Sequence, residues 1–420
     1  MSLPRYPEYK DSGVPWLREV PSHWDVAPFK RLVEFQNGSD HKPIEVEDGY
    51  PVYGSGGVFA YASDYMHDGE SVLLGRKGTV DRPLYVTGKF WTVDTMYWTH
   101  ISPDACGKFC YYAATSIPFA YYSTNTALPS MTQGALGAHL MAFPKKEEQV
   151  EIADFLERET AMIDALIAEQ ETLLALLAEK RQATISHAVT RGLDPDVPMK
   201  DSGIAWLGEV PAHWTCGGLT RFIGPVVDYR GRTPTKVDEG VFLVTARNVR
   251  NGKIDYEASE EYVDASSAAS LLARGTPEIG DLLFTMEAPL GQVALIDRTD
   301  IALAQRIVKF RGQANVLRND YLMYWIMGGA CQARLETLAT GSTALGIKAS
   351  KLGVIECLVP PVEEQGQIVK FIETAIAEID ALNAHAESAI LLLKERRSAL
   401  IAAAVTGKID VRGQVEAHAA

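Results

Sequence analysis

The sequence predicts an α+β protein with an internal pseudo-twofold repeat: two globular domains separated by two long antiparallel coiled-coil helices. Three observations carry this. A short motif near the start recurs about halfway along the chain. Two helical stretches recur at a different offset. Between these frames the pattern changes to short strands and turns with no shared wording. The chain has 420 residues, 47% of them hydrophobic, which is too long for one ordinary core and rich enough to bury more than one.

The short motif reads KDSGVPWLREVPSHW from Lys10 to Trp24 and KDSGIAWLGEVPAHW from Lys200 to Trp214, with 11 of 15 positions identical at an offset of 190. Four of the seven tryptophans fall in these two copies: Trp16, Trp24, Trp206 and Trp214. His23 and His213 recur beside Trp24 and Trp214. A catalytic role is one reading of these histidines. A packed histidine between domain and helix is the expected one, because no acid–base partner repeats with them. Asp11 and Asp201, within KDSG, suit local turns.

The helical repeat has an offset of 216. Glu147-Glu148-Gln149 matches Glu363-Glu364-Gln365, Ile163-Asp164-Ala165-Leu166 matches Ile379-Asp380-Ala381-Leu382, and Ala188-Val189-Thr190 matches Ala404-Val405-Thr406. The two offsets differ by 26, so the second intervening region is 26 residues longer than the first. Pro144 and Pro360-Pro361 stand where a helix entry tolerates a missing N–H. Heptad spacing places Leu156, Ile163 and Leu177 at one seam position and Ile152, Leu166 and Leu173 at the other. The second helix supplies Ile372, Ile379, Leu393 and Leu400, with Ile368 and Leu382. Glu159 and Gln170 interrupt the pattern, and Lys180 and Arg396 should loosen the seam. From Glu147 to Ala188 such a helix is about 60 Å long. The expected division is 1–145, first globular domain with its motif; 146–190, first helix; 191–358, second domain with its motif; and 359–420, second helix and tail. The N-terminal motif stands where a helix end should precede it, so Tyr6 to Trp24 should pack near Thr406 to Asp410 and close a circle.

The middles read as strands and turns. Residues 48–57 are turn-rich. Ser71-Val72-Leu73-Leu74 and Pro83-Leu84-Tyr85-Val86 flank a Gly75–Gly78 turn, and Val241 to Thr245 and Asp281 to Thr285 read as strands in the second copy.

Composition narrows the function. The net charge of −14 argues against a simple DNA binder, but the acid is unevenly placed. Residues 141–195 hold 6 Lys/Arg against 11 Asp/Glu and residues 359–420 hold 6 against 9, while residues 196–358 hold 17 against 19. The acid therefore concentrates on the helices. Five scattered cysteines argue against a disulfide framework. Cys106 and Cys110 are a possible zinc pair, though buried thiols are expected. With no signal peptide and no membrane-length apolar run, a cytoplasmic location away from membranes is expected. There is no GxxxxGK[ST] loop, no glycine fingerprint between strand and helix, no NPPF- or DPPY-like tetrapeptide and no carboxylate–lysine nuclease cluster. A catalytic role is therefore not expected, nor a metal or cofactor held by this chain.

The order of repeats and the phrases YPVYGSGG, LLGRKGTV, VTARNVRNGKID, GDLLF and PPVEEQGQI resemble type I restriction-modification specificity (S) subunits over almost the whole chain. The resemblance implies two target-recognition domains, each reading half of a split double-stranded DNA target. It also implies helices that set the separation of the halves and dock methyltransferase (M) subunits, two of them, which carry S-adenosylmethionine. Restriction motor (R) subunits, which use ATP and Mg, join for cleavage. Half-sites about one helical turn apart, roughly 34–36 Å, suit such a protein. The rival reading is a coiled-coil scaffold that binds only proteins. It accounts for the helices and the acid, but not for two divergent domains in matching frames.

Several residues are candidates for DNA contact. Arg76 and Lys77 sit in a Gly-flanked turn where backbone and cations could meet phosphate; the plain reading is a solvated turn. Arg230 and Arg232, with Arg247, Asn248, Arg250 and Lys253, form the densest basic stretches of the second domain. Arginine can grip guanine and asparagine adenine, yet each residue alone is more often a surface ion-pair partner. Asn125 and Thr126, and Ser342 and Thr343 beside Gly341, occupy turn-like stretches at corresponding places. The resemblance brings these loops to DNA, and structural turns are the alternative. Gln305 and Arg306 carry less sequence support than these.

Overall fold

The computed structural model describes residues 3–77, 79–122, 130–229, 234–341 and 345–414. The recurring motif folds the same way in both copies. Tyr9–Asp11 pairs antiparallel with Glu19–Pro21, and Met199–Asp201 with Glu209–Pro211. Asp11 accepts the Gly13 N–H at 3.0 Å and Asp201 the Gly203 N–H at 2.9 Å, so both aspartates close turns as expected. Trp24 and Trp214 are fully buried, and truncating side chains of this size in a core costs about 3–5 kcal/mol.

The middles, which share no wording, share a topology. In the first domain a four-stranded sheet has the order Leu84–Val86, Ser71–Gly75, Met96–Ile101, Val33–Asn37. In the second the order is Val293–Leu295, Leu282–Thr285, Ile307–Phe310, Val227–Asp228. Ser71–Gly75 and Leu282–Thr285 are buried along their whole length, which explains their unbroken apolar runs. Each domain has a second sheet around one parallel pair: Tyr50–Gly54 beside Lys89–Thr92, and Val241–Val244 beside Ile301–Leu303. Most of the additional length of the second domain lies between Val244 and Leu282. It contains a hairpin of Val249–Arg250 with Lys253–Ile254 and the helix Ala265–Leu272. That hairpin turns on Asn251 and Gly252, both with positive φ (51° and 80°), as a tight two-residue turn requires.

Two long helices, Lys146–Arg191 and Val362–Val405, complete the chain. The chain forms two compact units, residues 1–171 with 387–420 and residues 172–386. Each unit thus combines one globular domain with half of each helix, where the sequence suggested helices separate from domains. Within the first unit Arg397 meets Asp164 at 2.9 Å, and within the second Arg181 meets Asp380. The repeat offset of 216 relates these two ion pairs residue for residue, and in both the helix halves run antiparallel. Arg181 and Arg397, rather than Lys180 and Arg396, are the partly buried cations.

One seam position differs from expectation in part: its Ile152 and Ile368 are buried, but its leucines are not. Leu156, Ile163 and Leu177 are buried, as are Ile372 and Ile379. The companion column lies four residues on, through Thr160, Ile167 and Leu174, not three residues on through Leu166 and Leu173. Leu166, Leu173 and Leu382 are 45%, 37% and 46% exposed, whereas Ile167 is 8% exposed. The apolar stripe holds two adjacent columns, and only packing selects between them. Asn383 occupies the place equivalent to Ile167, and its buried Oδ1 has no hydrogen-bond partner among the described residues.

The circular closure is present in the first unit. The Tyr9 hydroxyl donates to the Gly407 carbonyl at 3.0 Å, and the Asp410 N–H donates to the Pro4 carbonyl at 2.8 Å. Gly407 has φ +72° and would meet Pro21 if it carried a Cβ, so a left-handed helix end presses directly on the motif. In the second unit Gly192, at φ +77° and one residue further along, lies beside Trp214.

The helix entries explain the repeated Glu-Gln. Gln149 is buried; its Oε1 accepts the Cys106 N–H at 2.9 Å and its Nε2 donates to the Pro144 carbonyl at 2.9 Å. Gln365 accepts the Arg318 N–H and donates to the Val316 and Pro360 carbonyls, all at 2.8 Å. Cys106 and Arg318 are the N-caps of Gly107–Thr115 and Asn319–Met327. Gln149→Ala and Gln365→Ala should each destabilise their own unit by about 1–3 kcal/mol, since each leaves buried backbone groups unpaired. Thermal melts with amide exchange at Cys106 and Arg318 check this. Asn383→Ile should instead raise the melting midpoint by about 2–4 °C, because it removes an unsatisfied seam oxygen; a lowered midpoint in calorimetry would contradict the seam assignment.

Candidate nucleic-acid interface

In the first domain, loops from four parts of the chain meet at one rim. The N–H groups of Arg76 and Lys77 both donate to the Thr95 carbonyl, at 2.8 and 3.2 Å, and the Met131 N–H donates to the Arg76 carbonyl at 3.0 Å. The Tyr53 carbonyl, at the end of its strand, accepts from the Thr92 hydroxyl at 2.9 Å. The Gly54–Gly57 hairpin tip therefore stands beside the same rim. The Arg76 guanidinium donates to the Asp94 carbonyl at 3.3 Å, and Lys77 is exposed. Among the described residues neither has a carboxylate partner. Asn125 and Thr126 lie outside the described residues; the chain returns at Ser130, which bridges to Lys77.

The second domain builds the same rim from different residues. The Met286 N–H donates to the Arg306 carbonyl at 2.8 Å, the Ile347 N–H to the Met286 carbonyl at 2.9 Å, and Glu287 bridges to Gly346. Met286 and Glu287 thus stand where Arg76 and Lys77 stand in the first domain. Glu287 holds the Arg306 guanidinium at 2.8 Å. Ser342, Thr343, Arg230 and Arg232 lie outside the described residues.

The stretch Arg247 to Lys253 divides by role. Arg247 is exposed and has no ion-pair partner among the described residues. Asn248 must be corrected as a base-reading candidate. It is fully buried; its Oδ1 accepts from the Thr245 N–H and hydroxyl, and its Nδ2 donates to the carbonyls of Asp255 and Ser259. With its hydrogen-bonding capacity taken up inside the protein, Asn248 shapes the turn that turns Arg247 outward. Arg250 braces that turn by donating to the Arg247 carbonyl at 3.1 Å and lies 3.7 Å from Asp255. Lys253 is exposed on the hairpin.

Beyond the carboxyl ends of the parallel pair of the second domain lies a cleft of about 220 Å³, with Lys236, Thr245, Arg247, Ala288, Gln305 and Arg306 in its walls. Sequence reasoning ranked Gln305 and Arg306 behind the basic stretch and did not reach Lys236. The local signal is conformational: Arg306 and Ala288 have φ of 79° and 49°, which no residue pattern announces.

The expected packing of the repeated histidines is not found: both are exposed, and a carboxylate does repeat beside them. His23 Nε2 and Trp24 Nε1 meet the Glu148 carboxylate at 2.8 and 3.1 Å; His213 Nε2 and Trp214 Nε1 meet Glu364 at 2.7 and 3.0 Å. Tyr6 also donates to Glu148, at 2.8 Å, and burial followed by that carboxylate pushes its phenol well above the usual range. All five cysteines are free, and Cys110, Cys331 and Cys357 are buried, with thiols pushed up by burial. Among the described residues no group of three or more His, Cys, Asp or Glu could hold a metal ion, and no helix is long and apolar enough to cross a membrane.

Known proteins agree with this architecture. The family described as "Type I restriction modification DNA specificity domain" matches residues 21–174 and 235–391. The type I restriction enzyme EcoBI specificity subunit of Escherichia coli is 20% identical over 406 residues, covering 91% of this chain and 83% of the relative. The EcoDI specificity subunit of Escherichia coli is 19% identical over 425 residues, covering 95% and 91%. Two solved chains share the fold. One comes from work on complex assembly and conformational transition of the type I R-M system (TM-score 0.70, 14% identity, covering 92% of this chain and 98% of that one). The other is the HsdS subunit from Thermoanaerobacter tengcongensis (TM-score 0.51, 14% identity, with the same coverage). With the family matched over most of its length in two copies, the chain belongs to the specificity (S) subunits of type I restriction-modification systems.

Proposed function

We propose that the chain reads a bipartite double-stranded DNA target, one half through each domain, and docks two methyltransferase subunits on its helices. The observation that carries this is the pair of equivalent rims. One topology presents the same loop positions twice, with Arg76 and Lys77 in one domain and Met286 and Glu287 in the other. Two readers with different inputs need such an arrangement, and a scaffold that binds only proteins does not.

The helices support the second half of the proposal. Leu166, Leu176, Leu382, Leu391 and Leu392 are 45–61% exposed outside the seam. Leu166 and Leu382 are equivalent under the repeat, as are Leu176 and Leu392. Exposed apolar residues on acidic helices suit protein partners and repel phosphate, and their duplication suits two copies of one partner. In this reading the chain is non-catalytic. The methyltransferase subunits bring S-adenosylmethionine, and the restriction motor subunits bring ATP and Mg.

Exchanging residues 215–358 for the same region of a relative should change one half-site and leave the other intact; methylation mapping in a host carrying the partner subunits decides this. Both halves changing together would sink the two-reader model. Arg247→Ala should weaken reading of the second half-site alone, by about 1–3 kcal/mol if the guanidinium grips a base. A uniform loss on all sequences, with a shallower salt dependence, would assign Arg247 to phosphate instead.

A further inference from the structure

We infer that Gln305 and Arg306, presented by a left-handed turn at the mouth of the second-domain cleft, are specificity-determining residues that read purine edges of the second half-site. This rests on the specificity reading above and adds a site to it.

Four observations converge on the cleft. First, its position: Leu243 and Ala302 are paired on the parallel strands, and the chain leaves both strands into the cleft wall. Both loops that leave this pair, Thr245 to Arg247 and Ala304 to Arg306, therefore converge on one opening. Second, its size: about 220 Å³ is below the roughly 300–1,000 Å³ of small-molecule pockets, so it takes the edge of a larger ligand rather than a free cofactor.

Third, its charge. Lys236 pairs with Glu261 at 2.8 Å and Arg306 with Glu287 at 2.8 Å, leaving Arg247 as the unpaired cation among the described lining residues. With Glu261 on Lys236 and Glu287 on Arg306, two of the three cations are already neutralised, which weakens the hold on a bare phosphate. A base edge is neutral and offers acceptors, which the guanidinium of Arg306 and the amide of Gln305 match; arginine grips guanine O6 and N7, and glutamine grips adenine N6 and N7. Glu287 holds Arg306 in place before DNA arrives, which limits the side-chain entropy lost on binding.

Fourth, its backbone. Arg306 sits at φ 79°, a region that non-glycine residues rarely occupy, held by the hydrogen bond from Met286 to its carbonyl. A glycine would adopt this turn without strain. The equivalent turn of the first domain, Val93 to Thr95, has no positive φ. The second domain therefore maintains a strained arginine where its counterpart needs none, and such strain persists where the surroundings over-determine it, often at binding sites.

The test uses the S subunit assembled with its methyltransferase partners and a panel of duplexes in which each base pair of both half-sites is replaced in turn. Gln305→Ala and Arg306→Gly should each lose about tenfold discrimination at one base pair of the second half-site, with the first half-site unchanged. Arg306→Gly keeps the turn and removes the guanidinium together with its pairing to Glu287. Arg306→Lys keeps the charge and loses the fork, so it should lose the same discrimination. Survival of full second-site discrimination in all three variants overturns the inference and leaves the two-reader model standing. An equal loss on every duplex also overturns it, by making these residues phosphate contacts. A wild-type complex with no sequence preference at either half overturns the specificity reading and this inference together.

Discussion

Everything in this protein hangs on the buried entry of each long helix, where a glutamate and a glutamine side by side serve two different neighbours. Glu148 and Glu364 take the indole and imidazole N–H groups of the repeated motif, and Gln149 and Gln365 take the N-cap of a domain helix. A helix without these contacts would have an apolar face but no fixed attachment to either motif or domain. The bonds of the buried glutamines count for more than exposed ones, because the alternative is an unpaired polar group in a low dielectric. Two adjacent residues therefore lock three segments distant in sequence, and the same lock is used twice.

The two locks differ where the chain differs. In the second unit the motif follows its helix through continuous backbone, and Glu364 needs only His213 and Trp214. In the first unit the motif and the helix end belong to opposite ends of the described chain. There Tyr6 adds a third donor to Glu148, and Arg412 lies over the Tyr6 ring at 4.8 Å while pairing with Asp410 at 2.7 Å. Side chains do at one junction what a covalent link does at the other.

Above this frame, interiors are constrained and rims are free. One inner strand of each four-stranded sheet, Ser71–Gly75 and Leu282–Thr285, is buried from end to end, and both domains keep the same strand order despite unrelated wording. The loops at the ends of those strands carry no such demand, and there the domains diverge in charge and in backbone conformation. Composition alone does not separate exposed cations from paired ones. Lys309 is buried against Asp281 at 2.6 Å, and Arg298, Arg318 and Arg334 pair with Asp300, Asp320 and Glu356. Counting cations over residues 196–358 mixes such internal partners with exposed ones like Arg247.

The sequence by itself determined the duplication, the long helices, the closure of the N-terminal motif on residues 406–410, and the turn roles of Asp11 and Asp201. These depend on local pattern and internal identity, which are visible in one dimension. Only the tertiary structure decided which of two apolar columns forms the seam, because Leu166 and Ile167 are both hydrophobic and only packing against the other helix distinguishes them. It also decided that Asn248 is structural and that Arg306 adopts a left-handed turn. Asparagine in a basic loop looks the same whether its amide faces solvent or the protein interior, and the direction it faces is set by Thr245, Asp255 and Ser259 closing around it.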